Sequence, residues 1–180
     1  MTIEIIFASK NQHKLTEVKR IVESVCKDFS IIGTEELGDI PDVVESGATF
    51  AANALLKARA LHELTGKTVL ADDSGICVDA LNSMPGIFSA RWAGSHGDDK
   101  GNLNLLLAQL QDIPSPRRTA QFVCAVAIIH EDGSERLVEG VLDGAITYEP
   151  RGEGGFGYDP IFVPHGLALT TAELDATHKD

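Results

Sequence analysis

The longest alternating stretch of the chain, residues 119 to 130 followed by 134 to 146, does most to limit the folds open to it. Successive side chains of a strand point to opposite faces, and the intervening Glu131-Asp132-Gly133 carries the Asp-Gly signal of a hairpin. The pattern predicts a long antiparallel arm. Shorter elements precede it. Residues 3 to 8 form a β-type run, and Leu15, Val18, Val22 and Val25 then recur at helical spacing, with Asn11 as N-cap. A second strand over 30 to 33 leads through a loop containing Pro41 to a helix over 49 to 65, closed by Gly66. Residues 68 to 71 read as a strand, Asp72-Asp73-Ser74-Gly75 as a turn, and 76 to 78 as a second short strand. Residues 84 to 92 read as a tight turn and a short helical piece. A helix over 98 to 110 follows, with Leu103, Leu106, Leu107 and Leu110 as its core stripe. A glycine cluster over 152 to 160 precedes a last strand, 161 to 163.

At 180 residues the chain has the length of one domain or of two lobes sharing a core, and about 70% of its surface can be buried without staples. No stretch approaches the roughly 18 apolar residues of a membrane span. The opening run carries an acid inside its apolar stretch, which is the mark of a strand and not of a signal peptide, so a cytoplasmic location is expected. Cys26, Cys77 and Cys124 are widely spaced and odd in number, which predicts buried, reduced thiols. With 15 basic against 27 acidic residues, net −12, the chain would repel a nucleic-acid polymer. A small phosphorylated ligand is compatible with that balance where local lysines and a divalent cation offset the acidic field.

Three places carry candidate chemistry. Ser9, Lys10, Asn11, Gln12, His13 and Lys14 surround the start of the first helix, where backbone N–H groups and the helix dipole suit a phosphate. In the second long helix, Asn53, Lys57, Leu61 and Leu64 fall on one stripe, so an amide and an ammonium stand on an otherwise apolar face; the alternative is that Lys57 runs along its stem to solvent. Between the two apolar runs, alternation lets one of Asp72 and Asp73 point into a site while the other braces a turn.

Several familiar motifs fail. Gly152, Gly154 and Gly157 spell a dinucleotide fingerprint, but Pro160 and a β-run follow instead of a helix. Gly66-Lys67-Thr68 lacks the first glycine of a P-loop and runs from helix to strand. The six histidines show no zinc-hydrolase pairing, and no serine elbow is present. The remaining inventory suits a nucleotide: carboxylates Glu45, Asp72 and Asp73 for Mg²⁺, lysines for phosphate charge, and Phe156 and Tyr158 on the glycine-rich loop for the base.

Five segments in order, Ser9-Lys10-Asn11-Gln12-His13-Lys14, Glu45-Ser46-Gly47 through Asn53 to Lys57, Asp72-Asp73-Ser74-Gly75, Pro85-Gly86-Ile87-Phe88-Ser89-Ala90-Arg91 and Phe156-Gly157-Tyr158-Asp159-Pro160, resemble the inosine triphosphate pyrophosphatase family. The match runs from residue 3 to about 179. The resemblance implies an elongated α/β fold, a mixed sheet flanked by helices, two lobes with the nucleotide in a central cleft, and a homodimer. It implies conversion of ITP, dITP or XTP to the monophosphate and pyrophosphate with Mg²⁺. Carried over by position, Ser9 to Lys14 would hold the triphosphate, Glu45 and Asp73 the metal, and Asp73 would activate the water. Asn53 and Lys57 would support phosphate and metal, Ser74 would contact substrate, Phe156, Gly157, Tyr158 and Asp159 would form the base pocket, and Lys179 would be a further substrate contact. The chain is expected to be a single domain over 1 to 180, lacking the family's Ser-His-Arg segment and final helix and so binding the base less tightly. Two alternatives stand beside this reading: a related pyrophosphatase for other modified nucleotides, and a nucleotide-binding module without turnover.

Overall fold

The structure, a computed structural model, describes residues 3–38 and 40–175. Along them run β1 (Ile3–Phe7), α1 (Gln12–Val25), β2 (Phe29–Gly33), α2 (Phe50–Thr65), β3 (Val69–Val78), β4 (Met84–Pro85), α3 (Asp99–Gln109), β5 (Thr119–Ile129), β6 (Glu135–Ile146) and β7 (Phe162–Pro164). The strands join one sheet in the order β2-β1-β3-β5-β6-β7, with β4 paired to β3. β1 lies parallel to β2, with Ile5 opposite Ile31, and parallel to β3, with Ile6 opposite Val69. β4 is antiparallel to β3 and β7 to β6. The fold is therefore α/β with a mixed sheet.

The chain forms two compact units, one from the residues up to Asp73 with Ala125–Glu139, the other from Ser74–Cys124 with the residues from Gly140 onward. In the first, parallel pairing of β1 and β2 requires a crossover, which α1 supplies. Leu15 packs with Ile5, Phe7 and Ile31, and Val18 and Val22 extend the contact. The stripe ends a turn earlier than its spacing predicts, since Val25 is 79% exposed. Asn11 caps the helix as expected, its side chain accepting from the N–H groups of His13 and Lys14. Thr49 caps α2 by accepting from Ala52 N–H, and Gly66 ends it at φ 65°, a left-handed conformation that glycine adopts without steric cost. α2 buries Phe50, Asn53, Ala54, Ala58 and Leu61, whereas Leu64, predicted inward, is exposed.

In the second unit Ile76 and Val78 of β3 pack with Leu103, Leu106 and Leu110, and with Ile146, Ile161 and Phe162. Phe122 lies against Phe162 with ring centroids 4.5 Å apart. Arg118, 1% exposed, pairs with no acid among the described residues: its guanidinium donates to the carbonyls of Leu110 (2.6 Å), Ile146 (2.9 Å) and Thr147 (2.6 Å) and stacks 4.3 Å from the Tyr148 ring. The hairpin between β5 and β6 forms at the predicted place, His130 N–H donating to Ser134 O and Gly133 N–H to His130 O.

Three local expectations are corrected. Residues 72 to 75 do not turn but continue β3, because the carboxylates find partners that let the backbone remain paired. The expected strand over 161 to 163 is shifted, since residues Asp159–Ile161 form a 3₁₀ turn before β7. The three cysteines are half-buried thiols and not core residues. The expected Asn11 cap engages the N–H groups of His13 and Lys14. Among the described residues no helix is long and apolar enough to cross a membrane.

Candidate functional site

Adjacent residues of a strand face opposite sides, and in β3 this sends Asp72 and Asp73 to different helices. Asp72 Oδ2 pairs with Lys14 Nζ of α1 at 2.5 Å. Asp73 Oδ2 accepts from Asn53 Nδ2 of α2 at 2.9 Å, and its Oδ1 lies 3.8 Å from Lys57 Nζ. Lys57 also reaches Glu45 Oε1 at 2.8 Å, so one ammonium stands between two carboxylates. Its side chain is only 16% exposed, which excludes the solvent-seeking alternative. Asn53 completes the arrangement by accepting Gly47 N–H at 2.8 Å, which fastens the loop bearing Glu45 to the start of α2. Asn53 and Lys57, one helical turn apart, thus share Asp73, while Asn53 holds the loop whose Glu45 pairs with Lys57.

Charge within this cluster is incompletely balanced. Burial pushes the Asp73 carboxyl above its ordinary value; Lys57, the Asn53 hydrogen bond and Lys14 pull it down, while Glu45 pushes it up. Asp72 Oδ1 is buried with no hydrogen-bond partner. A buried acceptor left unpaired costs about 1–3 kcal/mol, and this one lies on the α1 side of β3, away from Asp73. Glu45 and Asp73 offer hard oxygens, and Mg²⁺ is ordinarily held by one or two carboxylates together with water and substrate phosphates. The chemistry of these two donors suits Mg²⁺, with water and substrate phosphates supplying the remaining ligands, since among the described residues no third metal-ligating side chain joins them.

The turn before α1 holds itself together: Asn11 N–H donates to Ser9 Oγ at 3.2 Å, and Gln12 Nε2 donates to Glu35. Lys10 pairs with Asp42 at 2.5 Å on the surface, and His13 is exposed. Beside Lys10 a hollow of about 190 Å³ is lined by Thr34, Glu35, Gly38 and Ile40. Of the two lysines in this turn, Lys14 is the one the structure joins to the β3 acids.

The glycine-rich loop belongs to the second unit. Phe156 N–H donates to Asp159 Oδ2 and Gly157 N–H to Asp99 Oδ2, both at 2.9 Å. Asp159 is buried and also accepts from Thr171 Oγ1 at 2.9 Å, so its side chain fastens the loop from behind. Tyr158, expected on display as a stacking face, is 5% exposed in the core, its hydroxyl donating to Ser89 O at 2.9 Å. Burial, with Asp99 nearby, pushes its phenol well above the usual value. Phe156 is the partly exposed aromatic of the loop, and Ser74 is half-buried at the start of this unit's share of β3. Lys179 lies outside the described residues. Asp99 and Thr171 carry no periodic or motif signal and are legible only as the partners of this loop, whereas Ser89 lies in one of the five segments that carry the family resemblance, with no sign there of the contact it makes.

Lysines, an amide and hard carboxylates around one strand of an α/β sheet are a set that can hold a polyphosphate together with a divalent cation. Residues 5–180 match the Ham1 family, and the chain belongs to it. It is 53% identical over 176 residues to a dITP/XTP pyrophosphatase of Streptomyces coelicolor, covering 98% of this chain and 88% of that protein. Among solved structures, a nucleoside-triphosphatase, dITP/XTP pyrophosphatase, from Mycobacterium abscessus superposes with a TM-score of 0.80 at 49% identity, covering 99% of this chain and 92% of the other. A HAM1 protein from Coxiella burnetii superposes at 0.86 with 39% identity, covering 99% and 90%.

Proposed function

We propose that this chain hydrolyses non-standard purine nucleoside triphosphates, dITP, ITP and XTP, to the monophosphate and pyrophosphate. The observation that carries the reading is the Asp73 cluster. Its carboxylate, held by Asn53 and bordered by Lys57 and Glu45, stands in a chain 53% identical to a dITP/XTP pyrophosphatase.

In this reading Asp73 takes a proton from water as the water oxygen bonds to the α-phosphorus. The bond from that phosphorus to the bridging oxygen breaks, and pyrophosphate leaves. The Asn53 N–H on Oδ2 fixes the carboxylate plane and leaves Oδ1, beside Lys57, as the oxygen that would take the proton. Lys57 restrains Glu45 and Asp73 in one place, and Lys14, with Ser9, Lys10, Asn11, Gln12 and His13 around it, offsets the charge of the triphosphate. Glu45 and Asp73 would hold Mg²⁺, which when bound lowers the charge of the phosphates and stabilises the leaving group. Ser74 contacts the substrate. The backbone of the 156–159 loop and the Phe156 face receive the base, with Tyr158 and Asp159 acting from beneath, and Lys179 adds a contact. The active form is a homodimer, a reading supported by the exposure of Leu137, Val138, Val141 and Leu142 along β6. The cytoplasm, where nucleoside triphosphates and Mg²⁺ are held, is the compartment this activity requires.

Product analysis across dITP, ITP, XTP, ATP and GTP with Mg²⁺ tests the reading. It predicts pyrophosphate from the first three with kcat/KM at least about 100-fold above ATP and GTP, the scale of rejection a hydrogen-bonding base site attains. Orthophosphate as product, or equal turnover of ATP, contradicts it; binding of every nucleotide without turnover supports a binding module instead.

A further inference from the structure

We infer that Tyr158 is a positioning residue for base selection, which sets the glycine-rich loop against β3 through Ser89 without touching the nucleotide. This rests on the reading of the 156–159 loop as the base-binding loop.

Thr171 and Ala172 hold that loop from behind, and three further anchors bear on its position. Two act on its backbone: Asp159 takes the Phe156 N–H and Asp99, at the start of α3, takes the Gly157 N–H. The third is the Tyr158 hydroxyl, and it points elsewhere, onto the main-chain carbonyl of Ser89. Ser89 is itself fixed on β3, its Oγ accepting Ile76 N–H at 2.9 Å and donating to Gly86 O at 2.6 Å. The approach is so close that a Cβ on Gly75 would lie 2.4 Å from Ser89 Oγ and 2.6 Å from Gly86 O, so residue 75 must be glycine. Ile76 stands two residues beyond Ser74. A continuous line of hydrogen bonds therefore runs from the loop, through Tyr158 and Ser89, to the strand that presents Ser74.

α3 braces the same frame. Asn102, 2% exposed, donates to Ala90 O at 3.1 Å and accepts Ala93 N–H at 2.7 Å, holding the segment that bears Ser89, while Asp99 three residues earlier holds Gly157. Tyr158 and Ser89 are both buried, so their bond is shielded from competition by water. A phenylalanine would fill the core volume of Tyr158 equally well; the hydroxyl adds only a fixed separation between loop and strand. Selection by hydrogen bonds depends on such separations, because a displacement of about 1 Å forfeits the alignment on which discrimination rests.

The test is Tyr158→Phe, which keeps the ring and removes the bond. KM for dITP and XTP is expected to rise about tenfold, the effect of losing roughly one well-placed contact, with kcat changing less than KM. The kcat/KM ratio of dITP over dATP is expected to fall by a similar factor. Hydrogen exchange is expected to quicken at the loop amides 154–158 and at Ile76. A lower Tm with KM, selectivity ratio and loop exchange all unchanged would show a purely structural tyrosine and overturn the inference. So would an equal loss of kcat on every nucleotide at constant KM. Should wild type cleave no triphosphate, the proposed function fails, and loop exchange in the same variant still decides whether Tyr158 positions the loop.

Discussion

Asp73 shows how one residue can be both strained by the fold and needed by it. Its folded-state pKa lies above the ordinary carboxylate value because burial outweighs the lysines around it. The ionised form is therefore less favourable in the folded chain than in the unfolded one. The contribution of Asp73 to stability is greatest below the ordinary carboxylate range and is lost as pH rises through that range to the folded value, so at pH 7 it counts against the fold. Asp73→Asn should then raise the urea midpoint at pH 7 in metal-free buffer, and the difference from wild type should shrink as pH falls through the carboxylate range. The same substitution should lower turnover about 1,000-fold, as expected for loss of a general base. A variant that is less stable at pH 7, or that keeps its turnover, contradicts this assignment.

Among elements, helix caps and the hairpin were legible in the sequence and the acidic strand was not. Asn11 and Gly66 act through their own few residues, and so does the Glu131-Asp132-Gly133 turn, so local chemistry suffices to read them; Thr49, read as the first helical residue, is the cap one position before it. Asp72 and Asp73 read as a turn because aspartate disfavours strands, and the partners that override this, Lys14, Asn53 and Lys57, lie 58, 20 and 16 residues away. The polar Asn53 and Lys57 on α2 were readable as having work to do, but which acids they meet was not. Tyr158 failed for a related reason, since nothing in a glycine-rich run tells which aromatic faces inward. Arg118 gave no signal at all, yet it ties the end of α3 to the end of β6 through carbonyls alone. Arg118→Met would leave the carbonyls of Leu110, Ile146 and Thr147 without that donor, and should cost about 3 kcal/mol or more in urea denaturation. A loss below about 1 kcal/mol would mean that these carbonyls find other donors.

Across the whole molecule, β3, β5 and β6 each contribute residues to both compact units, so neither unit can lose its part of the sheet without breaking strands of the other. This predicts a single cooperative unfolding transition. Helical circular dichroism reports mainly on α1 and α2, of 14 and 16 residues, in one unit, whereas Trp92 fluorescence reports on the core of the other. The two urea midpoints should coincide; separate midpoints would show independent units. Mg²⁺ should raise Tm in wild type and lose that effect in Glu45→Gln and Asp73→Asn, because a ligand stabilises only what binds it. A shift that survives both substitutions would place the cation elsewhere.

The central claim is that Asp73 directs water to the α-phosphorus, and hydrolysis of dITP in ¹⁸O-labelled water followed by mass spectrometry tests it most directly. The account predicts one ¹⁸O in the monophosphate and none in pyrophosphate, with the labelled product lost in Asp73→Asn. Label in pyrophosphate or orthophosphate, or labelled monophosphate formed equally well without the Asp73 carboxylate, would contradict it.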